Sequence, residues 1–297
     1  MKKEFFNQMK AVVFYREELE FTGMVAPGAK EFWESLILHE VAVLCISKKD
    51  RYGFAEKLRQ NGYGTQEAAA IGATDAAIDE AGENQIAVFA YRNPCYPEES
   101  LMNSPVLVED FDGVDFAFAE RIWRRYHRLP WTILSTERCT VRELTLEDLD
   151  ELFAMYGQEH MTEYMEPLYS RAEEEAYQKA YIEQMYGFYG YGMWLVFDRE
   201  TKALIGRAGL ENRELHGVYI LELGYAVAVP YQRKGYAYEV CSAIIAYAKE
   251  HLEYRELNCL IQTENRASAA LARKLGFVRT ETILEDEQLF DRYTCTW

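Results

Sequence analysis

The sequence predicts two α/β domains in tandem: a parallel sheet covered by helices, then a mixed sheet that is mostly antiparallel. Three observations predict this. The chain has 297 residues, long for one simple domain and natural for two of about 100–200 residues each. Up to about residue 130, short β-branched runs alternate with amphipathic stretches over short connections, the pattern of parallel strands with crossover helices. Beyond that point hairpins and one long strand take over, as in an antiparallel sheet. The boundary falls between residues 130 and 131, giving domains 1–130 and 131–297.

In the first domain "KAVVFY" (10–15) and "VAVLCIS" (41–47) are buried-strand runs. The stretch "APGAKEFWESLILHE" between them is helical, with Phe32, Trp33, Leu36 and Ile37 on one face. A helix at about 52–61, an apolar run at 68–72 and a helix at 75–82 follow. Two strands come next, "QIAVFAY" (85–91) and "PVLVED" (105–110), separated by the proline-rich loop "RNPCYPEESLMNSP". An amphipathic helix over 115–127 ends the domain, and "RLPWTILSTE" is the predicted linker.

The second domain opens on the strand "CTVREL" (139–144). In "TLEDLDELFAMYG" Thr145 and Asp148 approximate a capping box ahead of a helix. A helix covers about 171–186, and "MYGFYGYGMW" (185–194) is an aromatic, glycine-rich loop. "MWLVFD" and "ALIGRAGLE" form a hairpin around "RETK". "GVYILELGYAVAV" (217–229) is the long strand. A helix over 235–250, the strand "LNCLIQT" (257–263), a short helix over 266–275 and two more strands complete the chain.

Composition narrows the function. Net charge is −17, with 15 basic against 21 acidic residues up to residue 130 and 17 against 28 beyond, or −6 and −11. Neither half offers the basic face that nucleic-acid phosphates need. The excess of carboxylates favours a cationic substrate, or serves solubility alone. No apolar run approaches the length of a membrane span, and the N-terminus lacks the pattern of a signal peptide. The sequence therefore predicts a cytoplasmic protein. Six cysteines without a C-x-x-C, and five scattered histidines, predict neither a disulfide framework nor a metal site.

The chemistry concentrates in "VPYQRKGYAYEV" (229–240). Pro230 stops strand pairing. The helix that follows carries Ala237, Val240, Cys241, Ile244, Ile245 and Ala248 as its apolar stripe. The leading N–H groups of a helix have no internal partner and attract anions. Gly235 lets a phosphate approach the backbone, Ala237 keeps the next turn open, and Arg233 and Lys234 add charge.

Gln232-Arg233-Lys234-Gly235-Tyr236-Ala237 resembles the Q/R-x-x-G-x-G/A acetyl-CoA pyrophosphate loop of the GNAT superfamily of N-acetyltransferases. The resemblance extends over residues 135–297. "TERCTVREL", "ELGYAVAVPYQRKGYAYEV" and "NRASAALARKLGF" are similar, in order, to motifs of the branch that includes ribosomal-protein N-terminal acetyltransferases. It implies the GNAT fold, acetyl-CoA as acetyl donor, no metal, and direct transfer to a primary amine. The acceptor is a small molecule or a peptide or protein N-terminus, and a homodimer is possible. The family's strand ahead of the loop is bulged and splayed, and its main chain holds the pantetheine arm. Here that role falls to Tyr225 through Val229, chiefly Val227 and Val229, with Gln232 to Ala237 (Tyr236 included) on the pyrophosphate. Glu222 is the implied general base, although without a bulge it faces away from Val227; it can also act structurally. Many relatives protonate the leaving thiolate with a tyrosine where this chain has Ala272. Ser268 is the remaining candidate, as acid or as CoA ligand. Asn265 can cap its helix and contact CoA together. Tyr189, Tyr191 and Trp194 are candidates for the substrate pocket, through cation–π contact.

Residues 9–129 are similar to a haloacid dehalogenase-like phosphatase, which implies a Rossmann-like parallel sheet. The family's D-x-D is absent, since the first strand ends in Tyr15-Arg16-Glu17. Ser47, Asp75 and Asp79 match later motifs. A tyrosine cannot serve as both nucleophile and magnesium ligand, so this domain is expected to be degenerate and non-hydrolytic. Two alternatives to the acetyltransferase remain: a non-catalytic acyl-CoA sensor, which Ala272 favours, and a working phosphohydrolase.

Overall fold

The computed structural model describes residues 8–21 and 23–297. The chain divides into two compact units, one up to Leu129 and one over Pro130–Trp297.

The first unit contains β1 (Ala11–Tyr15), β2 (Glu20–Phe21), β3 (Met24–Val25), α1 (Ala29–Leu38), β4 (Ala42–Ile46), α2 (Phe54–Gln60), β5 (Ala68–Gly72), α3 (Asp75–Glu83), β6 (Ala87–Tyr91), β7 (Leu107–Val108) and α4 (Phe116–Tyr126). Its main sheet runs β4-β1-β5-β6-β7, with every pairing parallel. Successive residues of a strand face opposite sides, so β1 feeds two cores. Val12 and Phe14 pack with Phe32, Leu36 and Trp123. Ala11 and Val13 pack with Phe54, Leu58 and Ile78. That is why these strands read as unbroken apolar runs. The predicted strand 105–110 is short, because only Leu107 and Val108 pair with β6.

The carboxyl ends of this sheet are filled by the unit's own polar side chains. Glu18, 1% exposed, accepts hydrogen bonds from the Ala73 amide and the Thr74 hydroxyl, both at 2.8 Å, and pairs with Lys48 at 3.1 Å. Glu17 accepts from the Ser47 hydroxyl (2.7 Å) and the Lys48 amide (3.0 Å). Tyr15 donates to Glu80. Asp75 accepts from the amides of Ser100 and Leu101, which hold its carboxyl below the usual range. Asp79 accepts from Asn103. Among the described residues no cluster of three or more His, Cys, Asp or Glu is placed to hold a metal ion.

The second unit contains β8 (Thr132–Ser135), β9 (Cys139–Arg142), α5 (Leu149–Tyr156), α6 (Arg171–Tyr181), β10 (Met193–Asp198), β11 (Leu204–Leu215), β12 (Val218–Val227), α7 (Tyr236–His251), β13 (Glu256–Gln262), α8 (Arg266–Lys274), β14 (Val278–Glu285) and β15 (Gln288–Thr296). One sheet holds all its strands in the order β14-β15-β13-β12-β11-β10-β9-β8. Its neighbours are antiparallel except β12 and β13. The expected capping box is present at Thr145 and Asp148. α7 buries Val240, Cys241, Ile244, Ile245 and Ala248.

Three expectations are corrected. The predicted linker contains β8, because Ile133 and Leu134 pack against the core. The predicted loop 185–194 begins inside a helix: α6 continues as a π-helix over Ile182–Tyr189, which Gly190 ends in a left-handed conformation (φ 75°). The expected bulge in the long strand is missing, since β11 and β12 keep one register from Leu215↔Val218 to Gly206↔Val227.

The π-helix serves the edge of the ladder. β9 pairs with β10 only from Leu195 to Asp198, so Met193 extends past its neighbour. Two phenols replace the missing strand: Tyr181 accepts from the Met193 amide (2.7 Å) and Tyr186 donates to the Met193 carbonyl (2.6 Å). Tyr186 also accepts from the Leu144 amide, where β9 has ended.

Lys48 is the cation beside the buried Glu18. Replacing it with methionine removes a charged hydrogen bond and should lower stability by about 2 kcal/mol. A fall in the urea midpoint of the full chain checks this, and an unchanged midpoint would mean the pair contributes nothing.

Candidate active site

The start of α7 is an anion cradle built by backbone geometry. Gly235 occupies the N-cap in the left-handed region (φ 88°), and no side chain caps the helix. The first helical bond from this end is the Glu239 amide to the Gly235 carbonyl, which leaves the amides of the preceding turn for a ligand. Arg233 is also left-handed (φ 58°). Alternation of this kind turns successive N–H groups toward one concavity. Gln232, Arg233, Lys234 and Gly235 are exposed, and Tyr236 and Ala237 are half-buried.

A clamp missed by the sequence reading fixes this loop. Arg138, just ahead of β9, donates its amide (2.9 Å) and Nε (2.7 Å) to Glu239, and Nη1 to the Lys234 carbonyl (3.0 Å). Its guanidinium lies 4.2 Å from the centre of the Tyr236 ring. Burial works against the charge of Glu239, but bonds from Thr136 and Arg138 prevail and keep its carboxyl below the usual range. Tyr236 donates in turn to Asp198 (3.3 Å). A Cβ at position 235 would lie 3.4 Å from the Arg138 guanidinium, an ordinary contact, so it is the left-handed conformation that calls for glycine there. The signal in the sequence was the arginine ahead of the strand, whose partner lies 101 residues away.

Beside the loop the sheet opens. β12 and β13 share a single pair, Glu222↔Asn258. Past it, main-chain groups of β12 face a slot instead of a strand. The Ala228 amide bonds Ile205 of the neighbouring ladder (2.9 Å). The Val227 carbonyl accepts from Gln232 Nε2 (3.0 Å), and the Val229 amide donates to Gln158 Oε1 (2.9 Å). Side-chain amides thus hold two positions that an amide-bearing arm would take. Gln158 lies outside every motif read from the sequence.

Residues 138–278 match the family model of the acetyltransferase (GNAT) domain. The chain carries a GNAT acetyltransferase domain. It is the domain of an acetyl-CoA-dependent acyltransferase. An uncharacterized N-acetyltransferase, YoaA of Bacillus subtilis (strain 168), is 29% identical over 153 residues, 49% of this chain and 82% of that protein. The [ribosomal protein uS5]-alanine N-acetyltransferase of Escherichia coli (strain K12) is 26% identical over 170 residues, 55% of this chain and 86% of that one. The structure of a ribosomal L7/L12 alpha-N-protein acetyltransferase superposes with a TM-score of 0.50 at 14% identity, covering 58% of this chain and 97% of the other. At that identity the likeness is one of fold.

In the GNAT domain Glu222 lies opposite Glu211 in the register, on one face of the sheet. Like charges so placed repel. Arg213, which bonds both Glu222 (3.3 Å) and Glu285, offsets this. Glu222 also accepts from the Leu260 amide of β13 (3.3 Å), so its side chain bridges the strands where they part. Burial raises its pKa despite Arg213 and that amide. Tyr181 donates to Glu211 (2.8 Å), which brings α6 onto this face.

The opposite face carries α7 and α8. Asn265 caps α8 by accepting from the Ser268 amide (3.0 Å). The Ser268 carbonyl accepts from the Tyr225 hydroxyl (3.2 Å). Ala272 is fully buried. Of the pocket candidates, Trp194 is a correction: it is fully buried and packs edge-on against Tyr247 of α7, because it shares the face of Ala208, its partner in β11. Tyr191 is 3% exposed and bonds Asn212 and Tyr254. Tyr189 is exposed and stacks at an angle on Tyr191.

Two substitutions test the cradle. Gly235→Val forces a β-branched residue into the left-handed region, a strain of about 1–2 kcal/mol. Arg138→Ala removes the clamp at a similar cost. Each should weaken CoA binding by about tenfold in titration calorimetry, and parent-like affinity in both would mean the loop holds no phosphate.

Proposed function

We propose that the second unit transfers acetyl from acetyl-CoA directly to a primary amine, on a small molecule or a protein N-terminus. The observation that carries this is the conjunction of an uncapped helix start with a slot where β12 leaves β13. The amides of residues 233–237 suit a diphosphate. The slot suits an extended, amide-bearing arm that pairs as an added strand would, displacing Gln158 and Gln232 from Val229 and Val227. An N–H at the slot is a donor for the charge that grows on the thioester oxygen as the amine attacks.

Glu222 is the general base in this reading. It stands at the mouth of the slot, and burial raises its pKa toward the working range of a base. Glu211 beside it adds a second carboxylate, so this face attracts an ammonium ion and then takes its proton. Tyr189, exposed near the end of the π-helix, is the proposed aromatic wall for the acceptor. The relative that acts on a ribosomal-protein alanine supports a protein N-terminus as one acceptor. A cytoplasmic location follows from the need for acetyl-CoA. No described helix is long and apolar enough to cross a membrane.

For the first unit we propose a haloacid dehalogenase-like scaffold without hydrolysis. Its support is a wholly parallel sheet with Tyr15 at the end of β1, Ser47 just after β4 and Asp75 just after β5. The side chains of Tyr15, Glu17, Glu18 and Ser47 are bonded to residues of the unit itself.

The test is thiol release from acetyl-CoA over a panel of peptide N-termini, polyamines and aminoglycosides. At least one amine should be turned over, and Glu222→Gln should lower the rate by about 100-fold or more. A base works only when deprotonated, so kcat/KM should fall as pH drops through the Glu222 pKa. That fall should begin above the ordinary carboxylate value of about 4.3 and vanish in Glu222→Gln. Equal rates in both proteins would remove Glu222 from the mechanism.

A further inference from the structure

We propose that the Tyr225 hydroxyl, across the sheet from Glu222, is the hydrogen-bond donor to the thiolate that leaves when the thioester is cleaved. The proposal rests on the acetyl-transfer reading above.

The placement follows from register. β12 is unbroken from Val218 to Val227, so residues three apart point to opposite faces. Glu222 therefore lies on the α6 face and Tyr225 on the face of α7 and α8. The phenol lines a small space with Val227, Ala237 and Val240, and its oxygen reaches the first turn of α8 at the Ser268 carbonyl, 3.2 Å away. The ring thus crosses from β12 to α8 beside the slot. A thioester in the slot would meet a carboxylate on one side and a phenol on the other. Attack and departure need those two chemistries on two sides.

Other groups on this face serve less well. Ala272, one turn beyond Ser268, has no donor and is buried. The thiols of Cys241 and Cys259 are buried, and burial pushes their pKa up. Burial also raises the Tyr225 pKa, so the phenol keeps its proton at neutral pH and acts as a donor. Its present acceptor is a carbonyl. Rotation about the C–O bond redirects the O–H without moving the ring.

The step balances. The amine nitrogen bonds the carbonyl carbon, and the C–S bond breaks with its electron pair on sulfur. The surplus amine proton goes to Glu222 and then to water. Tyr225 holds the sulfur anion by its O–H until solvent supplies the proton that makes the thiol.

The experiment titrates the thiol of bound CoA by its ultraviolet absorbance, read against the same protein loaded with desulfo-CoA. Parent, Tyr225→Phe and Ser268→Ala are compared, with calorimetry for CoA affinity and thermal melting for fold. Tyr225→Phe should bind CoA within about threefold of the parent, raise the bound thiol pKa by about one unit, a tenfold change, and lower kcat by about 10–100-fold with KM kept. Ser268→Ala should leave the thiol titration unchanged. An unshifted thiol in Tyr225→Phe, or a shift in Ser268→Ala instead, overturns the assignment while the acetyltransferase reading stands. Failure of the parent to bind CoA overturns both.

Discussion

The second unit depends on one interrupted pairing. β12 and β13 meet at Glu222↔Asn258 and then diverge. Backbone N–H and C=O groups that lose a neighbouring strand take other partners, and here the opening sheet has substitutes. They are side chains: Glu222 takes the Leu260 amide, Gln158 the Val229 amide and Gln232 the Val227 carbonyl. The same opening gives the site its two sides, because an unbulged strand sends Glu222 and Tyr225 to opposite faces. In the proposed reaction, the carboxylate that bridges the parted strands is also the one that receives the amine proton. The structural role of Glu222 is thus compatible with the proposed catalytic one.

The two units handle charge in contrasting ways. In the first, the carboxyl ends of the parallel sheet, where doubly wound folds commonly bind ligands, are filled by Glu18 on Ala73, Thr74 and Lys48. An internal carboxylate satisfies the donors there. In the second, the amides at the start of α7 carry no side-chain cap, and the charge that steadies the loop is supplied from behind by Arg138 and Glu239. One end is closed by its own anion and the other is left for an anion from solution.

Local patterns were legible and long-range ones were not. The parallel order of the first unit follows from apolar runs separated by helices. The stripe from Val240 to Ala248 predicts the buried face of α7, and Thr145 with Asp148 predicts the start of the helix that follows. Gly235 is legible as the point where a phosphate can approach the backbone, whereas the left-handed turn it shares with Arg233 is not. Arg138 and Gln158 carry no such signal, since each acts on a partner far along the chain and neither type is tied to one role. Trp194 was misplaced because an aromatic near glycines reads alike in a loop and in a strand. Only the pairing with Ala208 turns it to the core. The missing bulge is of the same kind: register is a property of two strands, and one sequence segment does not contain it.

The widened turn after α6 has a geometric consequence. Tyr181 and Tyr186 are five residues apart, and in an α-helix at about 100° per residue they would diverge by about 140° around the axis. Only one could then reach Met193. The wider winding of a π-helix, which bonds i to i+5, brings Tyr186 nearer the side of Tyr181, and both phenols bond the polar groups of Met193. The extra residue in that turn works as a spacer whose length is set by the span between two hydroxyls. Shortening the segment by one residue would restore regular winding and leave the start of β10 half fastened.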